Sequence, residues 1–376
     1  MSSRGRLCFY VPYLYPVAAD GEIPFVGGSE VRHWALARAM AERGFEVTAA
    51  TCDYGQGPLV RRDGVSLVRT YSTASGAPGV RFFYPRLWKA MKTMHDADAD
   101  VYLASGSGLP AGWTYDASRL RRAGFVFLAA HDADAMASLP LLTTRRERWW
   151  YLRALRGADA RVAQTDAQRR LFRASFAVEA RVIPNPVDVP PVAVDAGANR
   201  TILWIATYKP SKRPEWFLEL ASRLPQLRFT MIGYPPRGES TPEWREASRT
   251  AADLENLDVL GFVEHSRIGE FLRDAALFVH TSPLEGFPNA LLEAWARGIP
   301  SVTTVDPGGV FAGHDIGCVV DTVDSLEETV AGLMAAPERR RTLGAKARAY
   351  VESHHGPEHT YEPLAELLDA VIEARG

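Results

Sequence analysis

Residues 281–303 read TSPLEGFPNALLEAWARGIPSVT, and this stretch decides how the rest of the chain is read. It follows Ala276 to His280, a short apolar run with the composition of a buried strand, and it opens a helix near Pro288. Proline is favoured in a first helical turn, because the N–H it lacks would have no partner there. The backbone N–H groups of Gly286, Phe287, Asn289 and Ala290 then point out of the helix start, which favours a phosphate or another anion. Glu285 stands just before the helix. Glu293 follows eight residues later, about two turns along, among Leu291, Leu292, Ala294 and Trp295. A carboxylate in that company is costly unless something hydrogen-bonds to it.

Outward from this stretch the same strand–loop–helix rhythm recurs. Upstream, Thr201 to Ala206 and Arg228 to Ile232 read as strands, with helices at Pro214 to Arg223 and around Ile268 to Asp274. Residues 299–305 form the strand after the Pro288 helix, and Asp306-Pro307-Gly308-Gly309 a tight loop at its end. The first half has strands at Leu7 to Val11, Glu46 to Ala50, Val101 to Ala104, Phe125 to Leu128 and Arg161 to Ala163, with a helix at Val31 to Arg43. Short, nearly all-apolar strands separated by helices imply a parallel sheet covered on both faces. Between Ile183 and Asn199 the texture changes to a proline-rich IPNPVDVPPVAVDAGAN without helical period, a connection between domains. The expected architecture is two doubly wound α/β domains facing across a cleft, with ligands at the carboxyl ends of strands. The boundaries are 1–188 and 196–355, with a C-terminal helix at about 360–376 packing back on the first domain.

Composition narrows the function. The 376 residues suit two domains, and 47% apolar with 23% charged residues excludes a disordered chain. A formal charge of −2 lacks the basic field of a nucleic-acid binder, so any anion site is local. Cys8, Cys52 and Cys318 lie far apart without CxxC spacing, which excludes a zinc ribbon and fits a reducing, cytoplasmic setting. The run Leu7 to Ala19, after Arg4 and Arg6, is broken by Pro12 and Pro16 and reads as a buried first strand rather than a leader. No apolar run is long enough to span a membrane. No GxGxxG or GxxxxGK[ST] occurs, which argues against a nicotinamide enzyme and a P-loop nucleotidase.

With these residues in view, 281–303 closely resembles the Glu-x7-Glu signature of the retaining, family 4 type glycosyltransferases of GT-B fold. The resemblance extends over nearly the whole chain: PFVGGSEVRHWALARAMAERGFEVTAAT (24–51), RVIPNPVD (181–188) and LDVLGFVEHSRIGEFLRDAALFVHTSP (257–283) all have counterparts in that family. It implies that Glu285 accepts hydrogen bonds from donor-sugar hydroxyls. The Gly286-Phe287-Pro288-Asn289 backbone cradles the sugar and β-phosphate, and Glu293 takes both ribose hydroxyls. Gly233 and Val263, at strand ends, line the base pocket through main-chain groups. Gly27 and Gly28, before a helix start, let backbone approach the diphosphate. Lys212 fits the family's cationic clamp on the leaving diphosphate. The family's arginine falls on Thr207 here, and Lys209 is the candidate replacement. His131, after strand 125–128, matches a histidine that contacts the donor sugar on the acceptor side, with Asp132 beside it to orient the ring or help place an acceptor hydroxyl.

The implied activity is transfer of a sugar from a nucleoside-diphosphate donor to a hydroxyl acceptor with retention. The leaving phosphate takes the acceptor proton, and neither metal nor other cofactor takes part. Polysaccharide, lipid-linked sugar and natural-product glycoside all remain open as acceptor. Two rivals share the frame: a nucleotide-sugar epimerase, which turns over donor without acceptor, and a non-catalytic nucleotide-sugar-binding protein. Two stretches mix basic and aromatic residues, Arg81 to Lys89 and Arg145 to Tyr151. Such mixtures fit peripheral contact with an anionic bilayer, a bulky acceptor, or helix faces whose rings pack inward under arginine stems.

Overall fold

The computed structural model describes residues 4–19, 27–77, 80–235 and 242–375. The chain divides into two compact units, one of residues 4–19, 29–186 and 357–375, the other of 27–28 and 187–356.

The first unit is built on eight strands: β1 (Arg6–Tyr10), β2 (Glu46–Thr51), β3 (Leu59–Arg62), β4 (Val65–Arg69), β5 (Val101–Ser105), β6 (Gly124–Leu128), β7 (Ala160–Ala163) and β8 (Arg181–Val182). Their order is β3-β4-β2-β1-β5-β6-β7-β8. All neighbours are parallel except β3 and β4, an antiparallel pair joined through Asp63 and Gly64, both at positive φ. The central strands are apolar because helices cover both their faces; every residue of β6 is buried. The C-terminal helix Pro357–Glu373 belongs to this unit. It is tied there by ion pairs from Arg4 to Asp369, Arg43 to Glu362 and Arg181 to Glu366. Its Ile372 fills the space that a side chain at Gly5 would need.

The second unit holds six strands, all parallel: β9 (Thr201–Ile205), β10 (Arg228–Ile232), β11 (Leu257–Gly261), β12 (Ala275–His280), β13 (Ser301–Thr303) and β14 (Gly317–Val319). Their order is β11-β10-β9-β12-β13-β14. From β9 the chain builds outward to β11, then returns to the other side of β9 to begin β12. The boundary between β9 and β12 is thus the topological switch point, where open α/β sheets leave a crevice at their carboxyl ends. Trp204, Phe217 and Phe229 pack one face of the sheet, with ring centroids 6.2 and 5.6 Å apart. Leu291, Leu292 and Trp295 of the helix Asn289–Ala296 pack the other.

Candidate active site

The loops after β9 and β12 carry most of the residues the sequence singled out. A core tryptophan fixes them to each other. Trp204 Nε1 on β9 donates to Thr281 Oγ1 just past β12 (3.0 Å), and the Thr281 hydroxyl donates to the Lys212 carbonyl (2.5 Å). Lys212 ends the short 3-10 turn Pro210–Lys212, and the next residue, Arg213, bends the chain with φ 46°. From that turn the Lys212 ammonium reaches back to Glu285 and pairs with Oε1.

Glu285 is buried, and so is its second partner, His280, whose Nε2 lies 3.5 Å from the same Oε1. Burial alone raises the Glu285 carboxyl. The hydrogen bond from His280 and the charge of Lys212 outweigh it and hold the group well below the usual carboxylate range. Glu285 is therefore a fixed anion within the β12 loop. Lys209 caps the same 3-10 turn from an exposed position, so the cation on Glu285 is Lys212.

The helix of the signature begins at Asn289, one residue later than the sequence implied. Pro288 is its cap, extended at φ −65° and ψ 121°, and its carbonyl accepts from Leu292 N (3.3 Å). Pro288 offers no side-chain cap to this end, and the first turn carries the partial positive charge of a helix start. Phe287 anchors the loop below, its ring buried 5.9 Å from Trp295 and 4.9 Å from His355. Asn289 donates through its amide to the Gly28 carbonyl (2.6 Å), which brings two of the expected donor residues together. Gly27 precedes the helix Gly28–Glu42, and Gly28 opens it.

Glu293 is not in a purely apolar setting. Its side chain keeps 19% of its surface exposed and pairs with His265 Nε2 at 3.0 Å. That hydrogen bond raises His265 above its ordinary value against the opposing effect of burial. Gly233 and Val263 follow β10 and β11. The Gly233 N–H donates to the Gly261 carbonyl (3.0 Å), and a Cβ on Gly233 would stand 2.5 Å from the Ala206 carbonyl oxygen. Only glycine fits there.

His131 lies in the first unit, past the end of β6, as the cap of the 3-10 turn Asp132–Asp134. Its Nδ1 accepts from Ala133 N (3.0 Å), so the neutral ring carries its proton on Nε2. The buried acid that braces this loop is Asp134, which takes the backbone N–H groups of Ser107, Ala130 and His131 at 2.7–3.0 Å. Asp132 accepts from Gln168 (3.1 Å). The basic-aromatic stretches of this unit divide in two. Phe82 and Trp150 pack inward, and the Arg146 guanidinium stacks 3.6 Å from the Phe82 ring centroid. Phe83, Tyr84, Trp88 and Trp149 are more than half exposed, at 53–62%.

Sequence reasoning missed His280, His265 and the Trp204–Thr281 latch. Each left a faint signal: a histidine closing an otherwise apolar strand, a histidine opening a helix, and a tryptophan in a buried strand that needs a partner for its N–H. Among the described residues no cluster of three or more His, Cys, Asp or Glu side chains is arranged to hold a metal, and no helix is long and apolar enough to cross a membrane.

Two family models match the chain, one for each unit. Residues 26–190 match Glycosyltransferase Family 4, and residues 193–350 match Glycosyl transferases group 1. A curated relative, the 2-deoxystreptamine N-acetyl-D-glucosaminyltransferase of Niallia circulans, is 30% identical over 109 residues. That match spans 28% of this chain and 27% of that enzyme. Among solved structures, sucrose-phosphate synthase from Thermosynechococcus elongatus superposes with a TM-score of 0.83 at 18% identity, over 98% of this chain and 99% of its own. Anabaena HepE in complex with UDP-glucose superposes with a TM-score of 0.75 at 16% identity, over 97% of this chain and 100% of its own. These likenesses establish the fold, and the family models supply the rest: the chain belongs to the family 4 type glycosyltransferases of GT-B architecture.

Proposed function

We propose that this glycosyltransferase takes a hexose or related sugar from a nucleoside diphosphate and places it on a hydroxyl acceptor with retention at the anomeric carbon. One observation carries the reading. At the switch point of the second sheet, a buried anion (Glu285), a lysine able to leave it (Lys212) and the start of a helix (Asn289) are held within one loop pair. A nucleotide sugar needs those elements together. Its hydroxyls want a fixed acceptor, and its diphosphate wants cationic and backbone donors where charge grows as it departs. The HepE structure, solved with UDP-glucose, supports the donor class.

In this reading Glu285 accepts from sugar hydroxyls, the Gly286 to Asn289 backbone holds the sugar and β-phosphate, and Glu293 takes the ribose. Lys212, with Lys209 and the Gly27-Gly28 backbone, binds the diphosphate. Gly233 and Val263 meet the base through main-chain groups, and the Nε2–H of His131 donates to the donor sugar. The bond from the anomeric carbon to the phosphate oxygen breaks. The acceptor oxygen bonds to that carbon on the same face, and its proton passes to the departing phosphate. Lys212 and the helix start do the electrostatic work, so no metal or other cofactor is required. The exposed rings at 83–88 and 149, set among arginines, support a second surface role: peripheral contact of the first unit with an anionic bilayer.

The test is a panel of nucleoside-diphosphate hexoses with small aminocyclitol and sugar acceptors in excess chelator, the product anomer read by NMR. Transfer with the donor's configuration kept is expected. Inversion, or activity that returns only with a divalent cation, would overturn the mechanism. Turnover of donor without acceptor would favour an epimerase.

A further inference from the structure

We infer that Arg32 is a positioning residue of the donor site: from the core of the first unit it holds the end of β6 so that the loop beyond presents His131 to the donor sugar. Arg32 stands in the second turn of the helix Gly28–Glu42 with 4% of its surface exposed. Its one side-chain hydrogen bond among the described residues runs from Nη1 to the Ala129 carbonyl (2.6 Å), and its Nε has no partner. Burial pushes the guanidinium down to about 10, with the charge of Asp134 opposing that fall, so at neutral pH the group is a buried cation. For stability alone, an apolar side chain of similar volume would serve at least as well there. What the arginine adds is a short, charge-assisted bond to one particular carbonyl.

That carbonyl lies where the sheet lets go of the chain. The Ala129 N–H still reaches the Val162 carbonyl on β7 (2.9 Å). From there on, side chains of the unit take over the backbone groups. Asp134 takes the N–H groups of Ala130 and His131 (2.8 and 3.0 Å), while the Ala129 carbonyl takes Arg32 and Gln164 Nε2 (3.0 Å). The Tyr151 hydroxyl donates to the Asp134 carbonyl (2.5 Å). Asp134 thus fixes the turn itself, and Arg32 with Gln164 fixes the point from which it departs, two residues before His131. Of that pair only Arg32 carries charge, and it acts on both parts: by a hydrogen bond on Ala129 and by charge on Asp134. The donor-site role rests on the function proposed above, which puts His131 on the donor sugar; the hold on the loop does not.

Hydrogen-exchange mass spectrometry reads the hold without any donor. In Arg32→Met, or in Arg32→Gln if that variant does not fold, a peptide covering 129–135 should exchange about tenfold faster than in the wild type, with peptides covering β5 and β9 unchanged. Unchanged exchange at 129–135 overturns the inference. So does equal acceleration at β5, the result of a core residue that holds no loop in particular. A double-mutant cycle on transfer reads the donor-site role. In the wild-type background the substitution should lower kcat by about 10–100-fold, the cost of a misplaced contact. In the His131→Ala background it should change kcat by less than about twofold. Equal losses in both backgrounds overturn the inference. Absence of transfer in the donor panel, or a His131→Ala variant with full kcat, would defeat the function proposed for the site, and the exchange pattern would still decide whether Arg32 holds the loop.

Discussion

The loop that closes β12 and the second turn of the helix after it each present one acid, and their settings are opposite. Glu285 is buried and meets two partners, Lys212 and His280. Glu293 is partly exposed and meets one histidine, on a neighbouring helix start. The difference teaches what each is suited for. A deeply held anion with its charge fixed in advance can bind neutral hydroxyls without reorganising. An acid at the surface with a single exchangeable partner can release it to a ribose.

The largest expected effect breaks the buried half. Glu285→Gln keeps the shape and removes the charge, and kcat should fall by about 10²–10³-fold at saturating donor. Initial rates of transfer check it, and an unchanged kcat would erase the distinction between the two acids. Glu293→Ala should act on binding instead. Affinity for the nucleoside diphosphate should drop by about 10–100-fold, the loss of charge-assisted hydrogen bonds to the ribose, as read by calorimetry.

The pH dependence of stability sharpens the comparison, because the two sites have opposite sign. The Glu285 carboxyl is lowered from 4.5 in the folded protein. Its contribution is present above that value and is lost as pH falls through the lowered one. Melting temperatures of wild type and Glu285→Gln should therefore converge on acidification. His265 is raised from 6.5 by Glu293. Its contribution is complete below 6.5 and is lost as pH rises through the raised value, so wild type and His265→Ala should converge on the alkaline side. The same slope in both variants would contradict the assignment of partners. The smallest effect lies in the other unit. Trp88→Ala with Trp149→Ala should lower pelleting with anionic vesicles about severalfold and leave nucleotide binding unchanged. Equal pelleting with neutral vesicles would remove the bilayer contact.

What was legible in the sequence follows from what a residue must satisfy locally. The central strands stood out because a doubly covered strand such as Gly124–Leu128 is apolar at every position. The edge pair β3–β4 did not, since Leu59–Arg62 is exposed or half-exposed along its length; its one local mark was Asp63-Gly64 at the turn. Glu285 and Glu293 could be picked out by a spacing tied to a helix start, and Lys212 by the lysine slot that the family resemblance implies. Their partners could not, because the Glu285 contacts to His280 and Lys212 and the Glu293 contact to His265 are made across loops, between residues 5, 73 and 28 positions apart. Only tertiary packing sets those distances. Pro288 shows the reverse case. Its fixed φ suits a helix, but an extended ψ makes it the cap, a choice that composition does not record.

The central claim is that the loop and helix at 281–303 hold a nucleotide sugar with Glu293 on its ribose. Titrating a nucleoside diphosphate and its 2′,3′-dideoxy form into the wild type and Glu293→Ala tests it most directly. The wild type should prefer the ribo form by about 10–100-fold, and Glu293→Ala should bind both alike. A variant that keeps the preference would place the ribose elsewhere and contradict the account.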